Sequence, residues 1–200
     1  MEPRKQDVEY YPDHNGDFFY IRVNDTGRNF RLVKAQVSDP RSANWREVIP
    51  QRTDVMLNDT DFFKDYYILY ERENGLPQMR VADLRGGEPK RIAFPEPAYD
   101  CYSYINREYD TTKFRYGYQS FITPPSVYEF DMTDGKSTLL KQKEVPGGYD
   151  RVERYGSYGY PYEIGFNSNL FSMIDRGVVV AVAHIRGGAK WAKTGTIPAA

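Results

Sequence analysis

Three segments of this chain share one layout at a nearly fixed interval, and that repetition restricts the fold more than any other feature. The segments are FFYIRVNDTGRNFRLVKA from Phe18 to Ala35, YILYERENGLPQMRVADL from Tyr67 to Leu84, and RYGYQSFITPPSVYEFDM from Arg115 to Met132. Their starting points lie 49 and 48 residues apart. Each reads as strand, turn, strand. Phe30, Met79 and Val127 each fall 12 residues after the start, so the register holds from unit to unit. Strand side chains alternate between faces, which places Phe19 with Ile21, Ile68 with Tyr70, and Tyr116 with Tyr118 each on one face.

The turns carry Asn-Asp-Thr-Gly, Glu-Asn-Gly and Thr-Pro-Pro, all suited to tight reversals. After each hairpin comes another short apolar stretch, Val48-Ile49, Ile92-Ala93-Phe94 and Leu139-Leu140, which reads as a further strand per unit. A four-stranded unit recurring every ~40–50 residues is the pattern of a β-propeller blade. The competing arrangement is an antiparallel sandwich with evenly spaced hairpins; register kept over three units favours the propeller. A ring needs ~4–8 blades, so about three blades form a partial propeller with unpaired sheet edges. Aromatics make up 16% of the chain, with 18 tyrosines among them, and tyrosine fits half-buried sheet surfaces.

Near Val145-Pro146-Gly147-Gly148 the character changes. A loop rich in Gly, Tyr and Asn follows, then NLFSMIDR from Asn169 to Arg176, expected as a short helix with Gly177 as its stop. The run VVVAVAHI after Gly177 is apolar at nearly every position, as in a strand buried on both faces of a parallel sheet. The chain is therefore expected to divide into propeller blades over 1–145 and the start of an α/β unit over 146–200.

Composition excludes several function classes. The net charge is −1, so no broad basic field exists to hold a nucleic acid backbone. No run approaches the ~20 apolar residues of a membrane helix, and MEPRKQDVEYYPDH has no apolar stretch of the kind a signal peptide needs. Cys101 is the single cysteine, which rules out an intrachain disulfide and fits a reducing compartment. A soluble, cytoplasmic protein is the expectation. Two histidines are present: His14, in DHNGD, reads as a solvated turn residue, and His184 as a structural residue ending a buried strand. Neither has a second His or Cys at ligand spacing, so no zinc or other metal site is expected. HIRGG lacks the Gly-Lys-Ser/Thr of a P-loop and the third glycine of a dinucleotide fingerprint, so no cofactor is expected either. Ser157, in YGSYG, misses the G-x-S-x-G elbow and has no hydrophobic strand before it; it is rejected as a nucleophile.

The stretch YGSYGY, a short helix ending in DRG, and then VVVAVAHIRGG resembles the opening of the peptidase domain in the prolyl oligopeptidase family, most nearly its oligopeptidase B branch. FKDYYILYERENGLPQMRVADL, RIAFPEP, FRYGYQSFITPPSVYEFDM and TLLKQKEVPGGYD resemble that branch in the same order, over about Val8 to Gly188. The resemblance implies a seven-bladed propeller covering an α/β-hydrolase domain, whose Ser-Asp-His triad hydrolyses short peptides after Lys or Arg.

By the same resemblance, Tyr155 matches a tyrosine whose hydroxyl stabilises the tetrahedral oxyanion, a role open to a phenol because it donates to charge that develops in the transition state. Tyr158 matches a wall of the primary specificity pocket. Glu163 matches an acid that attracts basic substrate side chains, and Gly165 departs from members with a second acid there. Two further departures stand out. Only RVER separates VPGGYD from YGSYGY where the family has a β-rich stretch. None of the triad is present, so the chain is expected to be inactive by itself. A non-catalytic binding module using propeller edges is the alternative from a different class.

Overall fold

The structure is a computed structural model in which residue 3 and residues 5–144, 164–167 and 176–177 are described. They form three separate four-stranded antiparallel sheets, each a meander in chain order. The first contains β1 (Tyr10–Asn15), β2 (Phe18–Val23), β3 (Arg31–Gln36) and β4 (Arg46–Ile49). The second contains β5 (Val55–Phe62), β6 (Tyr66–Glu73), β7 (Leu76–Asp83) and β8 (Lys90–Arg91). The third contains β9 (Tyr99–Ser103), β10 (Lys113–Ser120), β11 (Ser126–Asp131) and β12 (Ser137–Gln142). Three small sheets in series are the blades of a partial propeller and exclude a two-sheet sandwich.

The central hairpin of each sheet is β2–β3, β6–β7 or β10–β11, matching the repeated segments. Local chemistry accounts for their turns. Asn74 and Gly75 close β6 onto β7 with φ of 51° and 79°, the left-handed pair that suits a two-residue hairpin. Pro77 stands inside β7 without cost to the ladder, because β8 pairs only with Arg80 and Val81 and never reaches it.

Both faces of the middle strands are buried, which explains their nearly unbroken apolar runs. Tyr20, Leu32 and Ile49 of the first sheet meet Leu57, Tyr67, Leu69 and Ala82 of the second in one cluster. Ile68, Met79 and Val81 on the opposite face of the second sheet meet Cys101, Phe114, Tyr116, Tyr118 and Phe130 of the third in another. Ile21, Val23 and Val33 form a smaller cluster on the remaining face of the first sheet, with Val8, Tyr10 and Trp45 packed against it. Each expected same-face pair, such as Ile68 with Tyr70, shares a cluster.

The sheets converge on their first strands. The Asn15 amide at the end of β1 donates to the Phe63 carbonyl just past β5, at 2.6 Å. The Ser103 hydroxyl at the end of β9 donates to Asp61 on β5, at 3.0 Å. Such links across the first strands give the arc a common inner edge, with β4, β8 and β12 on its rim.

His14 does not lie in a turn. It belongs to β1, exposed, with its ring 5.6 Å from that of Phe19, because the Asn15–Phe18 register carries β1 through the DHN stretch. The expected boundary near residue 145, the helix from Asn169 and the buried strand ending in His184 lie outside the described residues. Arg176 and Gly177 form a turn, with Gly177 at φ 82°.

Candidate functional site

The inner edge formed by β1, β5 and β9 is the candidate site within the described residues. Its three strands read YYPDHN, VMLNDTDF and YDCYS, with Asp13, Asp59, Asp61 and Asp100 and no lysine or arginine. Asp13 and Asp59 are exposed; Asp61 and Asp100 are half-buried. Side chains from two sheets hold Asp61: it accepts from the Tyr70 hydroxyl at 2.6 Å and from Ser103 at 3.0 Å. Burial, reinforced by the Asp61 carboxylate, pushes the Tyr70 phenol far above its usual range, so it remains a donor. Asp100 accepts from the Gln119 amide at 3.4 Å.

A cation on β2 borders this edge. The Arg22 guanidinium lies 4.2 Å from the centre of the Tyr11 ring and 4.5 Å from that of Phe30. Burial lowers its pKa while the Asp59 carboxylate acts to raise it. Its contact with two aromatic rings is a cation–π arrangement that fixes the guanidinium at the seam between the first two sheets.

A second polar group lies deeper. Glu71, 2% exposed, takes a two-point grip from Arg80 at 2.7 and 2.8 Å and a further hydrogen bond from Arg52. A buried carboxylate needs such compensation. In the third sheet, burial acts to raise the Glu96 carboxyl, but hydrogen bonds from Thr123 and Tyr118 outweigh it and hold the group below its usual value. Both clusters join strands and loops rather than presenting a reactive group to solvent.

Cys101 is 6% exposed and packs in the cluster between the second and third sheets. Among the described residues no group of three or more His, Cys, Asp or Glu could hold a metal ion, and no helix is long and apolar enough to cross a membrane. Tyr155, Tyr158 and Glu163, together with Ser157, lie outside the described residues. Of that neighbourhood, Gly165 is described: a Cβ placed on it would stand 3.7 Å from Gln119 Oε1. The acidic inner edge is the feature that the sequence reading missed. Its signal was three short Lys- and Arg-free segments, 10–15, 55–62 and 99–103, each carrying at least one aspartate ahead of a repeated hairpin.

Comparison with known proteins agrees with this geometry. Residues 1–143 match the family model described as prolyl oligopeptidase, N-terminal beta-propeller domain. The dipeptidyl aminopeptidase BI of Pseudoxanthomonas mexicana is 33% identical over 227 residues, covering 94% of this chain and 31% of its own length. That alignment is longer than the 200-residue chain, so the relative carries a few tens of residues that this chain lacks. Oligopeptidase B from Trypanosoma brucei, solved in a closed form with covalently bound antipain, superposes with a TM-score of 0.83 at 25% identity, covering 97% of this chain and 34% of that one. Oligopeptidase B from Leishmania major gives a TM-score of 0.81 at 24% identity, with 97% and 34% covered. The chain spans about a third of the length of the curated relatives it matches.

Proposed function

The chain belongs to the prolyl oligopeptidase family, and on that premise we propose that it is the propeller part of a serine oligopeptidase acting on short peptides with basic residues, without hydrolytic activity of its own. The family match over residues 1–143 carries the reading, since it takes in all three sheets. Peptide hydrolysis in the family needs a nucleophile, a base and an orienting acid acting as a unit. No G-x-S-x-G elbow occurs in the sequence.

Preference for basic peptides is supported by the inner edge. Four aspartates on three converging strands, with no lysine or arginine among them, create a negative potential where a peptide would approach the axis. Glu163, by resemblance, adds an acid for the substrate side chain. Tyr155 and Tyr158 keep their proposed roles as oxyanion donor and pocket wall in a complete enzyme.

The test combines activity with binding. The full chain is expected to leave fluorogenic Arg- and Lys-containing peptides uncleaved and to resist fluorophosphonate labelling. It is expected to bind an Arg-containing peptide more tightly than the Glu-containing counterpart, with a difference that shrinks as salt rises. Covalent labelling of any serine sinks the inactivity reading, and equal binding of both peptides sinks the basic preference.

The exposed rim supports a second reading, a non-catalytic docking module. All six residues of β12 are exposed, with Leu139 and Leu140 each 48% exposed on an edge that no other described strand pairs. A defined hetero-complex lost in Leu140→Lys would favour that module.

A further inference from the structure

We propose that Gln119 is a docking point that holds the segment Ile164–Asn167 against the face of the third sheet turned away from the second. Gln119 pairs with Asp100 across β10 and β9, and Gly117 pairs with Tyr102 on the same face. That face is turned away from the second sheet, because the intervening Tyr118 points into the shared cluster.

Three observations bring the distant segment there. Ile164 is only 3% exposed and the next three residues are half-buried, although they lie more than twenty positions beyond β12. Gly165 lies against the Gln119 amide: a Cβ there would stand 3.7 Å from Oε1 and 3.9 Å from both Cδ and Nε2. Those are ordinary contact distances for an added carbon, so the glycine backbone passes beside the Gln119 amide with room for one methyl group between them. Gln119 Nε2 is turned towards Asp100 Oδ2, which leaves Oε1 as the acceptor closest to the segment. At position 117 the same face is already filled, because Tyr102 lies flat over the glycine. Position 119 is therefore the next place on β10 where a passing chain can seat.

The consequence is a specific tie between the propeller and the region expected to open the peptidase domain. Gln119 is a positioning residue, acting on chain placement rather than on any substrate. The dock does not depend on the reading of Glu163 as a substrate acid; peptide binding tests that reading, and amide exchange tests this one.

The experiment is hydrogen–deuterium exchange on the full chain, read at peptides covering 164–167 and, as an internal reference, at β6 and β10. In the unsubstituted protein 164–167 is expected to be protected. Gln119→Ala should speed its exchange by about fivefold or more, because the side chain beside which the segment lies is gone, with β6 unchanged. Gly165→Leu, which forces a larger side chain against the Gln119 amide, should do the same without altering the sheet. If Gln119→Ala also loosens β6, the Gly165→Leu result decides. Exchange of 164–167 at the unprotected rate in the unsubstituted chain overturns the dock, as does protection that survives both substitutions.

Discussion

The Asn15 side-chain amide donates to the Phe63 carbonyl across 2.6 Å, joining the end of β1 to the turn that follows β5. Both residues are buried, at 8% and 3% exposure, so water does not replace this bond when it is lost. Asn15→Ala is expected to lower stability by about 1–3 kcal/mol, the cost of a buried acceptor left without its donor. A fall in the urea midpoint at constant m-value is the measurement; an unchanged midpoint would show that the two sheets do not depend on this link.

Glu71 offers a harsher test. Its carboxylate joins Arg80 from β7 with Arg52 from the linker between β4 and β5. Glu71→Ala removes the shared acceptor and leaves two mostly buried guanidinium groups facing one another. A loss of about 3–5 kcal/mol is expected. Glu71→Gln keeps an acceptor and should cost less. Equal losses in chemical denaturation would mean that packing, not charge, matters at this position.

Alkaline pH should unfold the chain cooperatively. Burial pushes the Tyr67 and Tyr99 phenols up to about 12 and Tyr70 higher still. Their folded values exceed the unfolded value near 10, so their stabilising contribution is complete below that pH. It declines as pH rises from there through the folded values, because the unfolded chain releases protons that the folded chain retains. Phenolate absorbance is expected to rise in step with loss of near-ultraviolet circular dichroism. Smooth ionisation of all tyrosines before any unfolding would contradict the burial.

Gly117 lies beneath the Tyr102 ring, where an added Cβ would come within 2.2 Å of the ring atoms. The backbone there is ordinary strand, and the obstructing group is a half-exposed side chain that can swing away. Gly117→Ala is therefore expected to fold normally while moving Tyr102 into water. Burial is the first cause raising the Tyr102 pKa, so the substitution should bring it down towards the ordinary phenol value. Site-resolved tyrosine titration by NMR reads this directly, and an unmoved Tyr102 resonance would refute it.

The hairpins were legible in the sequence because their information is local: β-branched and aromatic residues alternate around a turn, as in Tyr66–Glu73, Asn74-Gly75 and Leu76–Asp83. The first strand of each sheet was not. β1 contains Pro12 and four exposed positions, a composition that reads as loop and is tolerated only because β1 has an open edge. In β5 the register shifts between Leu57 and Asp59, which breaks the period-2 pattern where the strand turns polar. The acidic inner edge depends on strands some 40 residues apart coming together, and no local pattern records that meeting. Tyr155, Tyr158 and Glu163 owe their proposed roles to family resemblance alone.

Among the described residues the middle sheet shares one buried cluster with each neighbour, while each flanking sheet shares one. Cohesion in this arc therefore runs between adjacent pairs, like couplings between wagons. A lesion in β11 weakens the second seam and leaves the first intact. Among the described sheets the second alone shares in both seams, so losing it would part the first from the third.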